Sequence, residues 1–337
     1  MAVTIKDVAK KAGVAPSTVS RVIADHPSIR QKTKDHVRQV MAELQYYPNF
    51  NARQLVNQRS RTVGIVLPPA SDAFYQSPFF PTALRGINEA ASRQQYSLLL
   101  TTGEDTQARL ENVKGMIYGK QVEGLIFLYA AEGDPILELA METSFPFVVI
   151  GNVAGLAMNC VDNDNLQIAK EATEYLWQEG ARRIAFIGGD QKLQVIQKRI
   201  QGVDQALKKH GQSLEPDAIY NDLPFLANAG YDLMQDLIQA DLYDALVISD
   251  QLVAEGAYHA VLEQGLVDRY QLITFKAYSD HQAMTYLHYP YFDLHSQQLG
   301  DQAMEILLES LQAKEESSSQ RYVYELVASD LVRPDRH

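Results

Sequence analysis

At Thr62 the spacing of apolar residues changes, and that change divides the chain into parts of different fold class. Upstream, apolar residues recur only at helical intervals. Downstream, short apolar runs at 63–67, 97–100, 124–128 and 147–150 alternate with amphipathic segments such as 82–94 and 107–118, the pattern of buried parallel strands joined by helical crossovers. After 162–165 the theme repeats, with runs at 183–187, 218–220, 245–248 and 271–275, so two α/β lobes in series are expected. A helix at 295–312 and a strand at 321–327 follow a long irregular stretch. Ligands of open parallel sheets bind beyond the carboxyl ends of the strands, which makes a cleft between the lobes the expected site.

The upstream part spells helices. Thr4 and Asp7 have the spacing of a capping box, in which hydroxyl and carboxylate answer orphan amides at a helix start. Val8, Ala9 and Ala12 give that helix a small apolar face, and Gly13 permits the left-handed residue that ends it in a tight turn. Pro16 suits the first position of a second helix, where its missing amide would be unpaired anyway. A third helix over 31–45 carries Val37, Val40, Met41 and Leu44 on one stripe, and Val14, Val19 and Val22 can close a three-helix core against it. Tyr47-Pro48 breaks that helix, and Asn49 can cap a short fourth one over 51–58. By itself such a segment is marginal, because isolated helices below about 12 residues are unstable in water.

Charge sharpens the division. The chain of 337 residues carries a net charge of -12, which read alone argues against nucleic acid. Residues 1–61, however, hold 11 Lys or Arg against 4 Asp or Glu, a net +7, and the remainder is -19. A basic head on an acidic sensor is what a DNA-binding module looks like, since only the part facing phosphate needs positive potential; charge alone leaves open a basic, solvated helix pair. The hydrophobic fraction of 46% against 21% charged residues suits large buried cores. No apolar h-region opens the chain and no run reaches the ~20 residues of a membrane span, so a cytoplasmic protein with no membrane partner is expected. The single cysteine, Cys160, can form no internal disulfide and reads as a buried, inert thiol.

Other signals point nowhere. His281, His288 and His295 recur every seven residues, but Pro290 interrupts any shared helix face. Asp162-Asn163-Asp164-Asn165 lacks the glycine and terminal glutamate of a calcium loop, and a helix cap for the second lobe is the better reading. Gly188-Gly189-Asp190 has neither a P-loop lysine nor a dinucleotide fingerprint. No nucleophile, base and orienter set is present, so neither an enzyme nor a metal nor a cofactor is expected.

The run VTIKDVAKKAGVAPSTVSRVI, followed by TKDHVRQVMAELQYYPNFNARQL, closely resembles the DNA-binding head of the lactose-repressor (LacI/GalR) family of bacterial regulators. FFPTALRGI, VEGLIFL, NCVDNDN, EGARRIAFIGG, KRIQGV and ISDQLVAEGAYHAV carry the resemblance through the rest, and DAFYQSPFFPTALRGI with YGKQVEGLIFLYA is most similar to maltose-operon regulators. The resemblance implies a multi-domain fold: an all-α helix-turn-helix DNA-binding head over 1–48, a hinge helix and linker over 49–61, and a periplasmic-binding-protein-like α/β core of two parallel-sheet lobes over 62–337. Lobe 1 would take about 62–161 and 293–320, and lobe 2 about 162–292 and 321–337. The partners implied are a palindromic double-stranded operator, a second copy of the chain and a small sugar effector whose binding relieves repression of sugar-utilisation genes, with maltose or maltodextrin the matching class.

Carried over by residue, the resemblance puts Pro16, Ser17 and Arg21 at base-facing positions in the major groove. Arg21 leads because a guanidinium donates two parallel bonds to guanine. Thr4, Thr18, Ser20 and Thr33 match phosphate-contact positions, with a local helix cap as the other reading of each hydroxyl. Ala15 stands where most relatives have serine. In the hinge segment Asn49 is the cap, Ala52 allows close approach, Arg53 meets phosphate and Leu55 wedges into the minor groove, a core leucine being the alternative. In the cleft, Arg199 matches the arginine that grips sugar hydroxyls and Asp250 a polar strand-end position. Phe79 and Phe80 match the aromatic pair beneath the ligand, one of them a candidate for core instead, and an insert at 73–77 adds Phe74 and Tyr75 at the cleft mouth. Gly151 and Lys276 stand where the motif usually has aspartate, and Lys276 opens a phosphorylated sugar as ligand.

Three rivals remain. A catabolite-control regulator of the same family would answer to a phosphorylated carrier protein or a phosphosugar. The sugar-binding component of a transporter needs only the two lobes, but the operator-reading head and missing export signal oppose it. A sugar-processing enzyme is third.

Overall fold

The computed structural model describes residues 3–46, 60–68, 75–101, 103–129, 131–277, 289–315 and 322–333. The chain forms two compact units, Met1–Ser60 and Arg61–His337.

The first unit contains α1 (Ile5–Ala12), α2 (Pro16–Ile23) and α3 (Gln31–Glu43). Thr4 precedes α1, and Asp7 answers as the capping box requires, its Oδ2 accepting from the Thr4 amide at 2.8 Å. The Thr4 hydroxyl donates to the same oxygen at 2.6 Å. Gly13 turns the chain with φ of 66°, and Pro16 opens α2. The core is small and branched: Val8, Ala9, Ala12, Val19, Val22, Val37 and Val40 are buried, with Val14, Met41 and Leu44 packed at its edge. A core this thin needs help between α2 and α3. Asp25, left-handed in the connecting turn, supplies it: Lys34 donates to its carbonyl oxygen at 3.0 Å and pairs with its carboxylate at 2.9 Å, and Arg38 reaches the same carboxylate at 2.6 Å.

The second unit has two six-stranded sheets. The first has the order β11-β5-β4-β3-β1-β2, from β1 (Thr62–Val66), β2 (Ser97–Leu100), β3 (Gly124–Phe127), β4 (Phe147–Ile150), β5 (Cys160–Asn163) and β11 (Tyr324–Val327). All of its pairings are parallel. The second has the order β12-β10-β9-β8-β6-β7, from β6 (Ile184–Ile187), β7 (Ile219–Tyr220), β8 (Ala245–Ile248), β9 (Gln271–Lys276), β10 (Tyr291–Asp293) and β12 (Asp330–Val332). Only its β10 and β12 pair antiparallel. Central strands such as β1, β3, β6 and β8 are buried along their whole length, as strands covered by helices on both faces must be.

In lobe 1, α4 (Phe79–Arg93), α5 (Thr106–Tyr118), α6 (Pro135–Glu142) and α11 (Ser296–Glu315) cover the sheet. In lobe 2, α7 (Asn165–Gln178), α8 (Gln194–Lys209), α9 (Ala227–Ala240) and α10 (Gln251–Glu263) do the same. The chain passes between lobes three times: from β5 into α7, from β10 into α11, and from β11 into β12. The resemblance puts about 321–337 in lobe 2. Instead β11 pairs with β5 and buries Val327 in the lobe 1 core, and only β12 joins lobe 2. Cys160 is buried in lobe 1, its thiol pushed up to about 11 by burial. Among the described residues no helix is long and apolar enough to cross a membrane.

Helices α4 and α11 meet through glycines, because a Cβ on Gly86 would overlap the carbonyl oxygen of Gln297 and one on Gly300 that of Ala83. Gly86→Ala should therefore cost lobe 1 about 1–3 kcal/mol, the usual penalty of overpacking. Gly115, exposed on α5 with nothing near its missing Cβ, is the opposite case, and Gly115→Ala should add about 0.5–1 kcal/mol. Urea unfolding of both variants beside wild type checks the pair; equal midpoints would show that α4 and α11 can move apart.

Candidate functional site

Two surfaces follow from this fold, one in each unit. On the first, α2 leaves Pro16, Ser17 and Arg21 exposed while Val19 and Val22 anchor its other face. Thr18, Ser20 and Thr33 are half-buried and Thr4 is exposed. Ala15 gives α2 no side-chain cap. Among the described residues the Arg21 guanidinium has no hydrogen-bond partner, so a charged donor fork stands out from a rigid helix. Asn49, Ala52, Arg53, Leu55 and Phe74 lie outside the described residues, as do His281 and His288.

The second surface is the cleft at the carboxyl ends of the strands. It encloses about 1000 Å³ of atom-free space, part of it continuous with solvent, and takes lining residues from both lobes. Arg199, buried on α8, is its centre. Nε donates to Asn165 Oδ1 at 3.0 Å, and Nη1 donates to the Ser249 carbonyl at 2.7 Å and hydroxyl at 3.0 Å. The Phe275 ring lies 4.0 Å beneath the guanidinium carbon. Among the described residues Nη2 meets no acceptor, so two edges of the fork are fixed by protein and one is left for a ligand.

Two carboxylates flank it. Asp250 caps α10, its Oδ1 accepting from the amides of Leu252 at 2.8 Å and Val253 at 3.3 Å. Asp162, at the end of β5, accepts through Oδ1 from the Asn163 amide at 2.8 Å and Asn165 Nδ2 at 2.9 Å. Enclosure at the cleft floor pushes each up to about 6, outweighing those amide bonds and the attraction of Arg199. The same burial pushes Arg199 down to about 10 against the pull of both carboxylates. Across from them, Phe79 and Phe80 at the start of α4 meet edge to face at 5.4 Å. Both line the cleft and both pack on the lobe 1 core, so the choice between ligand and core is no choice here.

A guanidinium with a free edge, two acceptor carboxylates and aromatic walls bind hydroxyl-rich rings. The description "Bacterial regulatory proteins, lacI family" matches residues 4–49, and "Periplasmic binding proteins and sugar binding domain of LacI family" matches residues 60–324. The chain belongs to the LacI family. It is a transcriptional regulator with a sugar-binding core. The HTH-type transcriptional regulator MalR of Streptococcus pneumoniae is 43% identical over 310 residues, 92% of this chain and 93% of that protein. Catabolite control protein A of Staphylococcus xylosus is 32% identical over 267 residues, 79% of each chain. The lac repressor dimer bound to operator and the anti-inducer ONPF shows the same fold, with a TM-score of 0.81 at 22% identity over 99% of this chain and 98% of that one.

Two of the residues that the LacI-family resemblance brought to the effector are elsewhere. Lys276 is buried outside the described lining of the cleft, its ammonium 5.2 Å from the centre of the Tyr291 ring, and its charge opposes the upward push of burial on the Glu255 carboxyl. Strand alternation is the reason: β9 turns Phe275 and Ala277 toward the cleft and the residue between them away. Tyr75 is 72% exposed and is not part of the lining. The LacI-family cleft also holds Tyr129, Asp162, Asn165, Ser249, Gln251 and Phe275, which sequence reasoning left unassigned or gave other roles. Their signal is position: Tyr129, Ser249 and Phe275 stand at or just past the carboxyl ends of β3, β8 and β9. Asp164, next to them, caps α7 as expected, accepting from the Gln167 amide at 3.0 Å.

The two carboxylates give the LacI-family core a pH signature. Each binds its proton more tightly folded than unfolded, so its ionisation opposes folding progressively as pH rises from about 4 to about 6 and no further above that. Asp250→Asn keeps the cap acceptor and removes one ionisation. Its stability should fall less steeply than wild type across that window, and the difference should level off above it. Urea unfolding at stepped pH measures this; parallel profiles would show that Asp250 titrates as in the unfolded chain.

Proposed function

We propose that this protein represses maltose- or maltodextrin-utilisation genes by binding a palindromic operator as a homodimer, and that a maltose-type sugar in the cleft releases it. The observation that carries the sugar reading is the single Arg199 fork, with one free edge, between Asp162 and Asp250. Two carboxylates against one guanidinium repel an anion, and the ammonium that would favour a phosphosugar, Lys276, lies outside the described lining, beside the Tyr291 ring. A neutral sugar suits such a site. Its hydroxyls take the free donor of Arg199 and the carboxylate acceptors, and its ring faces pack on Phe79 and Phe80. The MalR relative supports the maltose class. The protein acts in the cytoplasm and catalyses no reaction.

On DNA, Pro16, Ser17 and Arg21 face bases, and Thr4, Thr18, Ser20 and Thr33 face phosphates. Asn49, Ala52, Arg53 and Leu55 form the minor-groove element of the linker, with Leu55 as the wedge. The net +7 over residues 1–61 supplies the potential that draws the head to phosphate.

Arg21→Ala should weaken operator binding by about 1–3 kcal/mol and relax discrimination at one base pair of each half-site. Gel shifts on operator variants and on random DNA read this directly. An equal loss on both would make Arg21 a phosphate contact.

The sugar reading is tested by operator titrations with maltose, maltotriose, glucose and glucose 6-phosphate. Maltose-type sugars should lower operator affinity by about 5- to 150-fold, the range of ordinary coupling. Arg199→Ala should still bind operator and lose the response. A response to glucose 6-phosphate alone would transfer the protein to the catabolite-control class and leave the operator-binding reading intact.

A further inference from the structure

The cleft arginine and the three chain crossovers are joined by one run of side-chain bonds. Arg199 Nε donates to Asn165 Oδ1 at 3.0 Å. Asn165 Nδ2 continues the run, donating to Asp162 Oδ1 at 2.9 Å and to the Asn163 carbonyl oxygen at 3.2 Å. Asn163 ends β5 at the first crossover. Its Nδ2 donates to the carbonyl of Leu294 on the second crossover at 3.1 Å and to that of Val327 at the third at 3.0 Å. One amide therefore holds all three passages of the chain between the lobes. Both asparagines are buried, at 4% exposure each, so solvent does not replace a bond that is lost. A second, more exposed bond, His295 Nε2 to Asp330 Oδ2 at 2.8 Å, ties the second and third crossovers again.

We propose that Asn165 and Asn163 are positioning residues that carry the state of Arg199 to the three crossovers, so that a ligand taken by the guanidinium alters how the lobes are held and, through that, operator affinity. The proposal rests on the sugar reading of the cleft given above. Its physical basis is differential binding: a ligand shifts a conformational equilibrium only as far as its contacts differ between the two states. A guanidinium with one free edge and two bonded ones changes its geometry at the bonded edges when the free edge is filled. Asn165 takes up that change through one oxygen and passes it on through one nitrogen. Asn163 has no slack to absorb it, because both of its donors are already committed to backbone.

Two substitutions cut the run at different links. Asn165→Asp keeps an acceptor for Arg199 Nε and deletes the donors toward Asp162 and Asn163. Asn163→Asp removes the donors to Leu294 and Val327. In the full-length protein, maltose affinity with and without operator, and operator affinity with and without maltose, give one coupling factor measured from both sides, equal by linkage. Wild type should fall in the ordinary range of about 5- to 150-fold, and each variant below about twofold. Emission of the single tryptophan, Trp177, confirms that each variant is folded, and either one alone suffices for the comparison. An asparagine with a merely structural role would lower melting temperature or both affinities and leave their ratio at the wild-type value. Wild-type coupling in a folded Asn165→Asp or Asn163→Asp protein that binds both ligands overturns the relay while the sugar reading stands. A wild type whose operator affinity maltose does not change overturns the sugar reading and the relay with it.

Discussion

A guanidinium buried between two lobes is tolerable only if its neighbours hold it, and much of the core's architecture serves Arg199. Leaving such a charge without partners costs about 3–5 kcal/mol, a large fraction of a domain's stability. Its partners come from separate elements: Asn165 opens α7, Ser249 follows β8, Phe275 lies on β9 and Asp162 lies on β5. Parallel strands deliver all of them to one place because their carboxyl ends share one edge of each sheet. Moving any one strand by a residue would turn its contributor to the opposite face. The acidity of the cleft follows from the same constraint, since burial holds Asp162 and Asp250 near 6 even beside a cation.

The head solves a different problem. It has few apolar residues and a large basic surface, so its helices are fixed by small side chains and by the Asp25 carboxylate shared between Lys34 and Arg38. Lys34 holds that carboxyl below the usual range, with Arg38 adding to the effect. Using a cation inside the turn leaves α2 free to present Pro16, Ser17 and Arg21 outward. Charge is thus divided between the units, a basic head at +7 and an acidic core at -19.

Sequence reasoning failed where local pattern and burial part company. Cys160-Val161-Asp162-Asn163 is half polar and falls outside the apolar runs, yet it is a strand, because β4 on one side and β11 on the other satisfy its backbone. The crossover order is likewise invisible in 321–333, where two short strands three residues apart join different sheets. Correspondence with a motif puts Lys276 in the cleft, and the pleat of β9 turns it away, to the Tyr291 ring.

What the sequence determined by itself is everything set by short-range periodicity and chemistry. That includes the capped helices and their turn at Gly13, the run of buried strands, the charge division at residue 61, and the residue types able to grip a sugar or a base. These follow from spacing along the chain, because propensity, capping and amphipathicity act over a few residues. Tertiary structure alone decided which residues meet. Asn163 reaches Leu294 and Val327 across 131 and 164 positions of sequence, and Arg199 reaches Ser249 across 50. No local rule carries information over such distances; closing the sheets brings those groups together, and the cost of leaving a buried amide or guanidinium unpaired then selects their partners.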